Sequence, residues 1–218
     1  MKKIAVLGTG IVGQTIGSKL ISVGNKVMIG SRTSDNAKAK DFVNKHNGDS
    51  ICGTFAEAAA YAEIIFNCTL GKASIEALNL AGTKNLNGKI IVDVANPLDF
   101  SKGMPPSLAI CNTNSLGETI QNTFPQSKVV KALNTMWCGL MVNPSMINNG
   151  DHSTFICGNH NEAKEKVKFI LMSFGWHEKN IFDLGDITKA RGTEMYLPLW
   201  LSIYGATNNG TFNIKIVS

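Results

Sequence analysis

The sequence predicts an α/β fold: a doubly wound, mostly parallel sheet with a short helical extension at the C-terminal end. Three observations predict it. Strand-like and helix-like runs alternate almost to the end of the 218-residue chain. A glycine-rich turn, Gly8-Thr9-Gly10-Ile11-Val12-Gly13, stands between the first strand and the first helix. In that setting a G-x-G-x-x-G turn brings main chain against a pyrophosphate. The second strand then ends in Gly30-Ser31-Arg32-Thr33, the place from which such folds read an adenosine ribose.

Each element can be justified in order. Lys3–Leu7 is an apolar run suited to a buried parallel strand. Past the glycine turn, Val12, Ile16, Leu20 and Val23 recur at helical spacing, and Gly24 stands where a C-cap would. Gly17, one turn after Gly13, is read as the point where this helix lies close on the sheet. Residues 26–29 supply the second strand. Ser34 or Asp35 is placed to cap a second helix through Ala37, Phe42 and Val43. Residues 50–52 form a brief third strand and 56–62 a short helix. Residues 64–68 are a fourth strand running into Thr69-Leu70-Gly71, with a helix over 74–80 behind it. Residues 89–94 make a fifth strand ending in Ala95-Asn96-Pro97. The stretch 98–106, with Pro105 and Pro106 adjacent, is irregular and reads as a lid or a long connection. Residues 128–133 form a sixth strand ending in Asn134-Thr135, 153–157 a seventh, and 161–174 a helix. After Gly185-Asp186, residues 188–206 read as one final helix. Its Met195, Leu197, Leu199, Trp200, Leu201, Ile203 and Tyr204 are too many for the buried face of a solvent-exposed helix. A second subunit covers it or it forms a pocket wall. The expected division is a nucleotide-binding domain over 1–185 and a C-terminal helix and tail over 186–218, packed on that domain or on a second subunit. A homodimer is the expected assembly.

Composition excludes several function classes. Hydrophobic residues are 44% and charged residues 17% of the chain, enough apolar side chain for a proper core. A net charge of +5 with no Lys/Arg stripe interleaved by aromatics argues against nucleic acid. No apolar stretch approaches the ~20 residues of a spanning helix, and Met1 leads directly into a strand, so no membrane association and a cytoplasmic location are expected. The five cysteines contain no C-x-x-C pair and read as reduced thiols. The four histidines show no ligand spacing, so no metal site is expected.

The end of the second strand points to one dinucleotide. An NAD site usually carries Asp or Glu there to accept from the ribose 2′-hydroxyl. Ser31, Arg32 and Thr33 instead offer two hydroxyls and a guanidinium, with no carboxylate to repel a 2′-phosphate. The expected ligand is NADPH, with its phosphates on the N–H groups that open the first helix. A glycine-rich turn that binds nothing is the competing reading, and the order strand, turn, helix, strand argues against it. Ligands in open α/β sheets sit beyond the carboxyl ends of the strands. That singles out Cys68-Thr69-Leu70, Ala95-Asn96-Pro97 and Asn134-Thr135-Met136-Trp137 as a nicotinamide site. Asn134 and Thr135 are placed to bond a carboxamide or a substrate carbonyl, unless they are ordinary strand-end residues. No catalytic acid or base is expected, since no His-Asp or Lys-Tyr pair is present in a usable arrangement. Asp93, inside an apolar strand, reads as a hydrogen-bonded structural carboxylate, and Cys138 as packing. Hydride transfer between stacked rings needs orientation more than side-chain acid–base chemistry.

The stretches Gly8 to Gly13, Gly30-Ser31-Arg32, Val92-Asp93-Val94-Ala95-Asn96-Pro97, Val129-Val130-Lys131-Ala132-Leu133-Asn134-Thr135 and Phe155-Ile156-Cys157-Gly158-Asn159 together resemble the F420-dependent NADP oxidoreductase family. They are similar also to the cytosolic NADPH-binding domain of the six-transmembrane (STEAP) metalloreductases. The resemblance runs over nearly the whole chain. It implies a single Rossmann domain that carries hydride between NADP(H) and a flavin-like ring, either the deazaflavin F420 or a flavin. It implies that the positions from Thr9 to Val12 hold the pyrophosphate and that Ser31-Arg32 hold the 2′-phosphate. A basic residue assists further on; Lys38 is nearest, although Asn36 lies closer to the family position. The positions of Leu70, Asn96 and Asn134 line the nicotinamide region. Trp137-Cys138-Gly139 departs from the family stretch, which leaves the acceptor open. Unlike the metalloreductases, the chain carries no membrane helices before Ser218, so passing electrons to haem would require a partner. The alternatives are reduction of another small acceptor (a quinone, an imine or a ferric chelate) and an NADPH-sensing binding protein that turns nothing over.

Overall fold

The computed structural model describes residues 2–46 and 48–217. Met1, Asn47 and Ser218 lie outside the described residues, and with them the expected start of the chain and the last residue of its extension. The elements run β1 (Lys3–Leu7), α1 (Ile11–Ser22), β2 (Lys26–Ser31), α2 (Ala37–Lys45), β3 (Ser50–Thr54), α3 (Phe55–Tyr61) and β4 (Ile64–Asn67). They continue with α4 (Ser74–Ala81), α5 (Thr83–Leu86), β5 (Ile90–Asp93), β6 (Leu98–Asp99), β7 (Ser107–Leu108), α6 (Leu116–Thr123) and β8 (Lys128–Ala132). The last are α7 (Cys138–Val142), β9 (Thr154–Cys157), α8 (Asn161–Ser173), β10 (Ile181–Asp183), α9 (Ala190–Met195) and α10 (Leu197–Thr207).

One eight-stranded sheet has the order β10-β9-β8-β5-β4-β1-β2-β3. The two-residue period of β1 supplies both of its faces. Ile4 and Val6 join a core with Ile16 and Leu20 of α1, Phe42 of α2, Leu140 of α7 and Val167 of α8. Ala5 and Leu7 join a second core with Ala58 of α3, Leu78 of α4, Ile120 of α6 and Ala190 of α9. Helices therefore cover both faces, the arrangement that lets parallel strands be apolar throughout. The order reverses beside β1, which lies between β2 and β4 and opens the crevice at their carboxyl ends. Register there aligns Gly30, Leu7, Asn67, Asp93 and Lys131 in one row across five strands.

Several expectations need correction. Gly17 does not serve contact with the sheet: a Cβ there would come within 2.8 Å of the Phe42 ring, so its bareness admits α2. The cap of α2 is Asn36, whose side chain accepts from Ala39 N at 3.0 Å, in place of Ser34 or Asp35. The irregular stretch after β5 closes into a small antiparallel ribbon, β6 with β7. The strand expected over 153–157 runs antiparallel to β8 as β9, and the brief β10 pairs beside it in parallel. The single helix expected over 188–206 is a 3₁₀ turn followed by α9 and α10, which meet at Tyr196 with Pro198 just beyond. A proline so placed has no N–H to continue the ladder. No helix among the described residues is long and apolar enough to cross a membrane.

Candidate nucleotide and acceptor site

The glycine turn is shaped by close main-chain contacts. Gly8 has φ 115° and donates its N–H to Gly30 O at 3.0 Å, which ties the turn to the end of β2. A Cβ on Gly13 would sit 2.1 Å from Gly8 O, so only glycine lets α1 start this close to β1. Above Gly10 the opposite holds: a Cβ would meet nothing within 4 Å, because that side opens on the groove. Gly10 caps α1 without a side-chain bond, and the first turn of the helix holds no acidic residue. Free N–H groups and a positive helix end therefore face a cradle with room for a pyrophosphate.

From this turn a groove of about 440 Å³ runs along the end of β2, lined by Gly8, Thr9, Gly10, Ile11, Val12, Ser31, Arg32, Asn36, Phe55, Cys68, Thr69, Leu70, Ala73, Glu76 and Ala77. Ser31 is buried and donates its hydroxyl to Thr33 O at 2.5 Å, while Arg32 is exposed. Thr33 lies outside the lining, and so does Lys38, which lines a separate groove between α1 and α2 with His46 and Lys45. Asn36 takes the place expected of Lys38. The expectation that no carboxylate stands here is also corrected. Glu76 of α4 places Oε1 3.9 Å from Arg32 Nε. It arrives from an element more than forty residues downstream, so reading β2 alone missed it.

A second cavity of about 290 Å³ continues from the first and shares Ile11, Val12, Cys68, Thr69 and Leu70 with it. It adds Val94, Ala95 and Asn96 after β5, Asn134 to Cys138 except Thr135 after β8, and Leu98, Phe100, Met141, Leu197 and Trp200. No charged side chain among the described residues lines it. Its floor is interlocked. Asn134 Nδ2 donates to Asn96 Oδ1 at 2.9 Å, and Asn96 Nδ2 donates to Asn134 O at 2.8 Å. A Cβ on Gly71 would lie 2.0 Å from Asn96 O, so the loops after β4 and β5 touch main chain to main chain. Leu133 turns the chain into the site with φ 63°, a conformation that costs a leucine of order 1 kcal/mol and is held here by burial. Thr135 faces away into another cavity with Phe155 and Tyr196, and Pro97 does not line the site. On the third side Leu197 and Trp200 form a pocket wall, one of the two readings of the final helix.

Beneath the floor lies a buried ionic row that follows from the strand register. Lys131 Nζ bonds Asp93 Oδ2 at 2.8 Å, Glu194 Oε1 at 2.7 Å and Ala95 O at 2.5 Å, using all three of its protons. Asn67 Nδ2 donates to Asp93 Oδ1 at 2.8 Å, and Ala95 N donates to the same oxygen at 3.2 Å. Glu194, from α9, accepts from Leu116 N and Gly117 N at the start of α6 at 2.8 and 3.0 Å. Burial pushes the Lys131 ammonium down, but the two carboxylates beside it outweigh that and hold its pKa above the usual lysine value. The structural reading of Asp93 fits this network. Burial also pushes the Cys68 thiol far up and the Cys157 thiol up to about 12, so neither is a ready nucleophile.

Comparisons with known proteins bear on the family and the fold. A family model described as coenzyme F420-dependent NADP oxidoreductase matches residues 3–97. A solved structure of a candidate F420-dependent NADP reductase from Arthrobacter sp. FB24 is 48% identical, with a TM-score of 0.94 over 100% of both chains. The metalloreductase STEAP3 of Rattus norvegicus is 27% identical over an alignment of 213 residues that covers 91% of this chain. The chain spans 38% of that protein's length. A reductive aminase from Aspergillus terreus, solved with NADPH and ethyl levulinate, shares the fold at 18% identity and a TM-score of 0.67, over 95% of this chain and 63% of its own.

Proposed function

The chain belongs to the F420-dependent NADP oxidoreductase family, and on that premise we propose that it passes hydride directly between NADP(H) and a flat, flavin-like ring. Bound NADPH would supply the chemistry, a hydride's two electrons and proton for the acceptor ring, with a further proton from water completing the reduction. The protein's own residues bind and orient. The N–H groups at the start of α1 and the open side of Gly10 suit the pyrophosphate, and Ser31 and Arg32 suit the 2′-phosphate. Asn96 and Asn134 lock each other, and each keeps a spare N–H for a carboxamide. Leu70, Ala95 and Cys68 complete the nicotinamide side without charge.

The observation that carries this reading is the uncharged lining of the second cavity, with Phe100, Trp137 and Trp200 around it. An anionic ferric chelate finds no counter-charge there, whereas a flat neutral ring finds aromatic neighbours. The C-terminal segment from residue 186 acts as an extension that furnishes one wall. The test mixes the purified protein with NADPH and, separately, F420, FMN, FAD and quinones while absorbance at 340 nm is followed. Oxidation of NADPH with a deazaflavin or flavin is expected. Tight NADPH binding with no acceptor reduced would overturn the proposal in favour of a sensor.

A further inference from the structure

Trp137 and Gly139 are matched to one another. Trp137 caps the start of α7 with extended backbone (φ −66°, ψ 144°), accepts from Leu140 N at 3.0 Å, and lines the acceptor cavity. A Cβ on Gly139 would fall 2.1 Å from Cζ3, 2.4 Å from Cη2 and 2.7 Å from Cε3 of the same indole. The benzo ring thus occupies the space in which any other residue at 139 would carry its side chain. Nothing in the backbone demands glycine there. Gly139 lies within α7 and is absent from the positive-φ glycines, and alanine is the better helix former. The bare position is explained by the ring that fills it.

The facing wall is fixed in another way. Trp200 is stacked between Tyr204 and Phe212, with ring centroids at 5.5 and 5.3 Å and interplanar angles of 8° and 19°. On the near side, Leu133 in its left-handed conformation and Asn134 bonded to Asn96 hold the approach to Trp137. These supports fix the walls of the cavity that Trp137 lines. No charge is available in the cavity to recognise an acceptor, so aromatic surface is what remains to choose one.

We infer that Trp137, seated in the space left by Gly139, is the residue that selects a fused, uncharged ring as acceptor. This rests on the hydride-transfer reading only for its consequence in turnover; the binding of the ring is separable. The probe is riboflavin, whose own fluorescence is quenched on stacking, titrated into the protein with NADP⁺ saturating. Wild type is expected to quench it. Gly139→Ala, which displaces the indole, and Trp137→Ala, which removes it, are each expected to raise the riboflavin Kd at least five-fold. Each variant is expected still to take up NADPH, which shows that it folds. Trp137→Phe, which keeps a smaller aromatic ring, should recover part of the affinity. An unchanged riboflavin Kd in Trp137→Ala, or no quenching by wild type, overturns the inference. Should wild type bind riboflavin through Trp137 yet reduce no acceptor, this inference stands and the hydride reading falls. Should wild type reduce flavins and both variants match it in KM, the reverse holds.

Discussion

At the scale of single residues, the specificity of the nucleotide end turns on two opposed charges. Arg32 is 68% exposed at the side chain and Glu76 63%, so their 3.9 Å approach is a loose, water-screened pairing. On the proposed function a 2′-phosphate would replace that carboxylate as the partner of the guanidinium. Arg32→Ala is expected to weaken NADPH far more than NADH, by about 2 kcal/mol, the worth of one charge-assisted contact. Calorimetry with both nucleotides checks it, and equal losses would show that Arg32 does not read the phosphate. Glu76→Gln is expected to act oppositely, tightening NADPH roughly two- to five-fold with NADH little changed, because a like charge leaves the phosphate's surroundings. Ser31-Arg32 was legible because the second strand announces its end locally. Glu76 was not, since nothing in its own stretch of sequence says that α4 delivers it beside β2.

At the scale of elements, the C-terminal helices are fastened to the sheet by charge as well as by packing. Glu194 reaches from α9 to Lys131 on β8 and to the first N–H groups of α6, while Asp93 takes the other side of the lysine. Lys131→Met leaves two buried carboxylates facing each other without a cation. A loss of roughly 3–5 kcal/mol is expected, measured by urea unfolding at neutral pH. Lys131 titrates above its ordinary value of 10.5. Its contribution is therefore whole below that pH and fades only as pH rises through the higher folded value. A base-unfolding limb that begins at neutral pH would contradict this. The sequence showed β1, α1, β2 and the three strand ends because their apolar periodicity and turn residues are local. It concealed the ionic row, since Asp93, Lys131 and Glu194 become neighbours only through strand register and a helix returning from far along the chain. One signal went unused: Ser115 three residues before Glu118 is a helix-start pattern and marks the start of α6, where Ser115 Oγ accepts from Glu118 N at 3.0 Å.

At the scale of the whole molecule, the C-terminal segment from residue 186 is strapped on by ion pairs that acid removes. Arg191 grips Glu118 through two bonds and holds its carboxyl below the usual range, and Lys215 does the same for Asp151. Carboxylates lowered in this way contribute stability that is complete above their unfolded values of about 4.5 and 3.8 and is lost as pH falls through the lower folded ones. Hydrogen exchange is expected to show residues 208–217 opening first as pH drops below about 3.8, ahead of β1 and β4; simultaneous opening would refute it. The expected homodimer has its own check. Leu199 is 56% and Tyr204 43% exposed on α10, so Leu199→Glu should convert a sedimenting dimer to monomer with NADPH affinity unchanged. The overall fold was legible because alternating strands and helices restrict the topology. The reversal at β9 and β10 was not, for two short apolar strands carry no mark of direction.

Ile11 and Val12 border both the nucleotide groove and the cavity for the oxidant. Anything laid from one to the other must cross them, and its far end then becomes a face of the remaining slot. On the proposed function a loading sequence is expected: the dinucleotide should enter first and leave last, with the second reactant finding its place only once the first is down. An oxidant arriving early would block the passage, so excess of it should slow the steady state rather than hasten it.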